Sequence, residues 1–304
     1  MSLYFTKPIA RTAIWGGNRL ATEFGYSNMT DHIGQCWAFS CQEGNESPLE
    51  GGSTLGDLWR GHPEFFNSRY ERFPFIISLV APVDDLSIQI HPNDAIAKLH
   101  GYPSGKNEAW VFLKAPHCGS IVYGQHTRNE KELREAIASD EWERIIAHLP
   151  VKKDDFVYVP AGMLHALSAG CVAYEIQQAT DVTYRFYDYH RKDAAGNERP
   201  LHMQEAVSCV DFAFGDKNAT PRSQRIETQN VTITAFIQCD SFCIRRFDIH
   251  GKTQLSFPTY QLMTVADGTG IVNGFKVQKG SNFLLPANET LDAEGTFTLM
   301  VTSE

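Results

Sequence analysis

Apolar and polar residues alternate along most of the patterned stretches of the chain. In "LSIQIH" (86 to 91), Leu86, Ile88 and Ile90 alternate with Ser87, Gln89 and His91 before Pro92 ends the run, which is the period of a half-buried strand. Segments of the same kind recur as "QCWAFSCQ" (35 to 42), "FIISLVA" (75 to 81), "EAWVFL" (108 to 113), "DFVYVP" (155 to 160), "CVAYEIQ" (171 to 177) and "VTYRFYDY" (182 to 189). Strands this short, punctuated by turn residues, predict a barrel or sandwich. Helical signals are few. Thr127 to Glu130 reads as a capping box opening "RNEKELREAIAS", and Asp140 to Glu143 repeats it before "WERIIAHL", so a helical pair is expected near 127–149. Shorter helices are expected at 54–72, at 93–100 with Gly101 closing it, and at 201–212.

The polar, aperiodic "FGDKNATPRSQR" (214 to 225) contains Pro and Gly and predicts a domain boundary. Strand-like patterning resumes after it. Laid over each other, "VKKDDFVYVPAGMLHAL" (151 to 167) and "VQKGSNFLLPANETLDA" (277 to 293) match Val151 with Val277, Lys153 with Lys279 and Pro160 with Pro286. A related strand and turn is therefore expected twice. In this register His165 falls on Leu291, so the second copy lacks whatever His165 contributes.

With 304 residues, 42% hydrophobic and 21% charged, the chain can bury one large or two modest cores. Its formal charge of -9, without a Lys/Arg-rich block, argues against nucleic acid or an anionic membrane as partner. An anionic small substrate would need a local basic pocket. No run reaches the roughly 18 apolar residues of a membrane span, and the start carries no apolar signal core, so the cytoplasm is expected. Seven scattered cysteines without a C-x-x-C pair suggest buried thiols in a reducing compartment. The pattern carries no mark of an oligomeric state.

Residues i and i+2 of a strand share a face, so Gln89 and His91 should project together, opposite the isoleucines. Glu108 opens the strand "EAWVFL", and His165 follows the turn "PAGML". Convergence of these strand edges would assemble His91, Glu108 and His165, with Gln89 as an optional fourth donor. Such a set suits one divalent metal of borderline softness, zinc first and then iron, manganese or cobalt, with a coordination position left for water or substrate. The other histidines, His250 among them, read as ordinary surface or hydrogen-bonded residues. "GYPSGKN" lacks P-loop spacing, and no dinucleotide fingerprint occurs.

The turn "PAGMLHAL" resembles the second metal motif of the cupin barrels, and "QIH" with a later Glu resembles the first. Together "IWGGNRL", "LSIQIHPND", "GKNEAW", "VPAGMLHAL", "EIQQATDVTYRFYDYHR" and "RPLHMQEAV" resemble, in order, the shorter type I mannose-6-phosphate isomerases from Trp15 to about Val207. The remainder resembles a degenerate second cupin. The resemblance implies a mainly β fold of two cupin-like jelly-roll barrels, with a catalytic unit over 1–222 and a metal-free one over 223–304. It also implies a metal held by His91, Glu108 and His165, a catalytic Arg185, and Lys106 near a small phosphorylated sugar. Arg185 and Lys106 would then act in both catalysis and substrate binding. The long enzymes' signature Tyr-x-Asp-x-Asn-His-Lys-Pro-Glu is absent, and "ISLVAPVDD" lacks the lysine that relatives often carry there.

Aldose–ketose isomerisation fits these residues, because a cation stabilises an enediolate. A guanidinium at 185 suits the enediolate or the phosphate, the ordinary alternative being an ion pair with Asp181 or Asp188. A cupin oxygenase and a non-catalytic sugar-phosphate-binding relative are the rival readings.

Overall fold

Strand alternation decides the architecture, because one sheet is asked to bury both of its faces. In the computed structural model, which describes residues 3–26, 32–213, 223–238 and 242–304, six antiparallel strands run in the order Phe156–Val159, Glu108–Lys114, Val172–Gln178, Phe75–Val80, Ile33–Phe39 and Ile9–Gly17. Ala109, Val111, Tyr174, Ile176, Ile77 and Leu79 share one core with Tyr260, Leu262, Leu284 and Met300 of the C-terminal sheet. Trp110, Phe112 and Ala173 join a different core with Ile88, Ile90, Leu164 and Phe186. The six-stranded sheet is thus a middle layer. Each large apolar side chain so buried contributes about 1.5–3 kcal/mol, and the same pleat that turns Ala109 and Val111 outward turns Glu108 inward.

The facing layer is a five-stranded sheet ordered Ile146–Pro150, Ser120–Gln125, His165–Ala166, Ile88–Ile90 and Tyr184–Tyr187. The C-terminal sheet has eight strands, from Tyr4–Thr6 at one edge to Gln224–Glu227 at the other. Its long strands Cys243–Ser256, Gln261–Val272 and Thr290–Ser303 surround an apolar interior that includes Phe247, Phe257, Val265, Phe283, Leu291 and Leu299. Tyr174 and Thr302 join the two units by a 2.8 Å hydrogen bond between hydroxyls. The N-terminal strand Tyr4–Thr6 pairs with Asn282–Leu285, so residues counted with the first unit by sequence complete the sheet of the second.

Several local expectations change in the folded chain. The helix Glu130–Ala138 is capped by Asn129, whose side chain accepts from the Glu132 amide, and not by Thr127. The second helix stops after Trp142–Ile145, because Ile146–Pro150 pairs with Ser120–Gln125, and that pairing overrides a helical reading of "WERIIAHL". The segment expected to be helical over 54–72 keeps one helix, Leu55–Gly61, closed by a Thr54/Asp57 capping box. One 3-10 turn, Pro63–Phe65, follows. Helices Asp94–Leu99 and Met203–Cys209 lie where they are expected. Of the polar segment 214–225, residues 214–222 lie outside the described residues, while Gln224 and Arg225 already belong to a strand. Strands Ile9–Gly17 and Ser120–Gln125 have no counterpart in the sequence reading.

Gly280 sits at φ 91, and a Cβ there would lie 2.1 Å from the Phe24 carbonyl oxygen, whereas Gly44 at φ 73 meets nothing within 4 Å. Gly44→Ala should therefore lose only the left-handed backbone term, roughly 1–2 kcal/mol. Gly280→Ala should lose more, on the order of 2–4 kcal/mol, because the backbone of Phe24 must also move. Urea unfolding midpoints of the two variants check this, and equal losses would contradict the close approach.

Candidate functional site

The alternation in "SIQIH" builds one wall of a cavity between the two facing sheets. Ile88 and Ile90 are fully buried in the apolar core. Gln89 pairs in register with His165 on the neighbouring strand, and the Gly162 amide donates to the His91 carbonyl at 2.9 Å. Gly162 adopts φ 89 in the turn "PAGML", which returns the chain so that His165 lies beside the first strand. On the opposite wall, Gly105 approaches Pro92–Asp94 so closely that a Cβ would lie 2.6 Å from the Asn93 carbonyl carbon. That approach lets the Lys106 amide donate to the Pro92 carbonyl at 3.1 Å, two residues before Glu108 enters its strand.

His91, Glu108 and His165 meet there, each about 99% buried or more, with one donor atom from each lying within 4.8 Å of the others. His91 Nε2 is 3.2 Å from Glu108 Oε1, and His165 Nε2 is 3.5 Å from Glu108 Oε2. Lys106 Nζ contacts Glu108 Oε1 at 2.8 Å. His165 Nδ1 bonds the Met163 carbonyl oxygen at 2.8 Å; a proton on Nδ1 leaves the Nε2 lone pair facing the cavity. The Gln89 amide nitrogen reaches His165 Nε2 at 3.5 Å, which sets Gln89 on the rim of the group.

Burial pushes His91 down to about 3, with Lys106 adding to the effect, and burial lowers His165 as well. Both rings are therefore neutral at pH 7. Burial alone would raise Glu108, but Lys106 first and then His91 hold its carboxyl well below the usual range. Among the described residues both ring nitrogens of His91 and Glu108 Oε2 are buried without a hydrogen-bond partner, an arrangement that is unfavourable unless a further group engages them. Two neutral imidazoles and a carboxylate could hold a divalent cation. Their spacing is close to the roughly 3.3 Å between neighbouring donors of a tetrahedron with bonds of about 2.0–2.1 Å.

The cavity, about 230 Å³, is also lined by Arg185, Arg11, Arg199, Gln177 and Glu175. Arg185 lies on the strand beside Gln89 and pairs with it in register. Neither carboxylate that could have engaged it does so: Asp181 bonds Arg11, and Asp188 bonds Arg191 and Arg199. Glu175 was not among the expected site residues. It accepts from Ser78 Oγ at 2.7 Å and from Trp110 Nε1 at 2.9 Å, and burial, then the Glu108 charge, raise its carboxyl to about 7. Its signal in the sequence was a lone acid at an alternate position of the apolar run "CVAYEIQ".

The second copy of the strand-turn unit carries no such set. Asp154 and Gly280 both have positive φ, as do Gly162 and Asn288, in the register that aligns Pro160 with Pro286. Val159 pairs with Glu108 as Leu285 pairs with Gln261. The Asn288 amide donates to the Phe257 carbonyl as the Gly162 amide does to His91. Phe257, Gln261 and Leu291 therefore stand where His91, Glu108 and His165 stand in the first copy. The apolar pair is buried, and Gln261 is occupied by Arg245 at 2.8 Å.

Comparison with known proteins points the same way. Residues 4–118 match the family model for the phosphomannose isomerase type I catalytic domain, and residues 232–303 match that for the mannose-6-phosphate isomerase cupin domain. The chain is 35% identical to "Probable mannose-6-phosphate isomerase GmuF" of Bacillus subtilis (strain 168), covering 98% of each chain. It is 34% identical to mannose-6-phosphate isomerase ManA of the same organism, covering 93% of this chain and 92% of that one. The crystal structure of the mannose 6-phosphate isomerase from Bacillus subtilis superposes with a TM-score of 0.94 at 32% identity, covering 100% of both chains.

Glu175 sets a pH dependence of stability. Its carboxyl titrates near 7 in the folded protein, above the unfolded value of about 4.3, so between those limits the folded state binds the extra proton. Its stabilising contribution is complete below the unfolded value and is lost as pH rises through 7, on the order of 3 kcal/mol in all. Glu175→Gln, which keeps an acceptor for Ser78 and Trp110, should gain stability relative to the metal-free parent between pH 5 and 8. Chemical denaturation at several pH values measures this difference, and parallel curves would refute the assignment.

Proposed function

The chain belongs to the type I phosphomannose isomerases and interconverts mannose 6-phosphate and fructose 6-phosphate, and from that premise we propose that it does so at the His91, Glu108 and His165 site with one divalent metal, zinc first. The observation that carries this reading is the buried, neutral pair of imidazoles converging on an ionised carboxylate. Family membership sets aside the oxygenase and the non-catalytic alternatives. Three protein donors, with Gln89 on the rim, suit a catalytic rather than a closed structural zinc site.

The reaction removes a proton from C2 of the aldose and returns it at C1 through an enediolate. When bound, the metal supplies Lewis-acid polarisation of sugar oxygens and stabilises developing negative charge. Lys106 keeps Glu108 ionised and presents a second cation to the same space. Glu175, titrating near 7, is matched to accept a proton and give it back at neutral pH. Arg185, which has no carboxylate partner among the described residues, meets the anionic part of the substrate. The two facing sheets bury the donors.

We also assign the catalytic unit to 1–222 and a metal-free unit to 223–304, a reading supported by the separate family matches. The cytoplasm is the compartment we infer. The buried thiols Cys171 and Cys209 support it, and among the described residues no helix is long and apolar enough to cross a membrane.

The direct test is a coupled assay of mannose 6-phosphate turnover by zinc-reconstituted protein, and failure to form fructose 6-phosphate would sink the reading. Elemental analysis should give about one tightly bound zinc per chain, because Phe257 and Leu291 replace the second set of histidines. His165→Ala should lose that zinc while His250→Ala retains it, and two equivalents in the parent protein would contradict the site. Arg185→Lys should lower kcat/KM roughly 10- to 100-fold, since lysine keeps the charge but not the planar fork. A purely raised KM would assign Arg185 to ground-state binding, and wild-type kinetics would remove it from the site.

A further inference from the structure

The substrate carries a dianionic phosphate, and of the four cations lining the cavity Lys106, Arg11 and Arg199 have carboxylate partners while Arg185 has none among the described residues. Lys106 is buried against Glu108. Arg11 is engaged by Asp181 and Asn45 and lies 4.4 Å over the Trp37 ring. Arg199 is bonded to Asp188 through Nε and Nη2, which leaves Nη1 for an anion.

A different arrangement surrounds Arg185. Asp188, 5% exposed, accepts two hydrogen bonds from Arg199, at 2.7 and 2.8 Å, and one from Arg191 at 2.7 Å. The chain is turned to make this possible. Tyr189 and His190 both adopt left-handed φ, at 55° and 52°, while the Arg191 amide donates to the Asp188 carbonyl, a geometry that non-glycine residues adopt at a cost. The loop then closes through a bridge between Lys192 and Glu198, which returns Arg199 to Asp188. Pro200 accepts from Arg185 Nη1 at 2.8 Å, and His202 Nδ1 accepts from the Arg185 amide at 3.0 Å. Arg185 and Arg199 line the same cavity as Glu108, and Arg185 Nε is buried without a hydrogen-bond partner among the described residues. Two guanidiniums therefore share one carboxylate, with the Arg185 guanidinium beside them, so positive charge is in excess within this group.

A phosphate monoester, with a second pKa near 6, is close to a dianion at neutral pH and would complement that excess. Distance agrees as well. Arg185 lies one strand from Gln89, a spacing of about 4.8 Å, and Gln89 reaches His165. The strand of Arg185 therefore borders the donor group.

Resting on the isomerase reading above, we propose that Arg199, held by Asp188 beside Arg185, is a specificity residue that binds the substrate's phosphate. The proximity of Arg199 and Arg191, after burial, lowers the Arg185 guanidinium from its ordinary value, as expected for a cluster that an anion would relieve. Planar forks such as these suit bidentate phosphate binding.

The test is Arg199→Gln, with Arg199→Lys as a milder variant that keeps a cation beside Asp188. Bound zinc and circular dichroism confirm the fold of each. Arg199→Gln should raise KM for mannose 6-phosphate roughly 10- to 100-fold, weaken competitive inhibition by inorganic phosphate in parallel, and lower kcat/KM on free mannose by a much smaller factor. Arg199→Lys should move the same way by less. An equal fall on both sugars, or unchanged phosphate inhibition, would overturn the proposal. Calorimetric titration of the parent and variants with inorganic phosphate reads the subsite without turnover, so a protein that binds phosphate through Arg199 but does not isomerise the sugar would refute the function and not the subsite.

Discussion

A carboxylate buried between two sheets is the constraint around which the molecule is arranged. Glu108 is 1% exposed, and an isolated charge at that depth would be neutralised or expelled. Lys106, two residues earlier, keeps it ionised, and the two histidines remain neutral because they are desolvated beside that lysine. Removing one partner of such a buried pair generally destabilises a protein by about 3–5 kcal/mol. The loop at Gly105, the turn at Gly162 and the pairing of Gln89 with His165 all hold this group together. Their structural purpose and their chemical purpose are the same.

The C-terminal unit supplies a control within the chain. The same strand, the same left-handed turn and the same pairing register recur there, with Phe257, Gln261 and Leu291 in place of the three donors. The scaffold therefore does not require the charged site. What the second copy contributes instead is a wall: Tyr260, Leu262, Leu284 and Met300 cover the outer face of the sheet that carries Glu108 and Glu175. By excluding water from that face, it helps keep the middle layer rigid and of low dielectric, which strengthens each electrostatic effect in the cavity.

Electrostatics in this protein are local. A chain with a net charge of -9 would not attract a dianion over long distance, and at physiological ionic strength fields between exposed charges fade within about 8 Å. The guanidiniums of Arg185, Arg191 and Arg199 lie on one strand and the loop that follows it, where Arg191 and Arg199 share the carboxylate of Asp188. An overall acidic protein can thus present a basic end of its cavity to an anionic sugar.

Alternation along short segments determined a great deal on its own. A period of two in "SIQIH" put Gln89 and His91 on one face, "PAGMLH" placed His165 after a turn, and the register of 151–167 on 277–293 located Leu291 opposite His165. These features are local, so the chain states them directly. Glu175, the pairing of Asp188 with Arg199, and the coverage of the middle sheet were not legible, because each depends on residues brought together across ten or more residues of intervening chain or on a neighbour from the other unit. Ile146–Pro150 shows the same limit in miniature: its residues are compatible with a helix, and only the unpaired edge of Ser120–Gln125 made them a strand. Sequence by itself determined that Gln89 and His91 share a face and that His165 follows a turn. The tertiary structure alone decided which charges are paired there, because desolvation and pairing are properties of the surroundings and not of the residue.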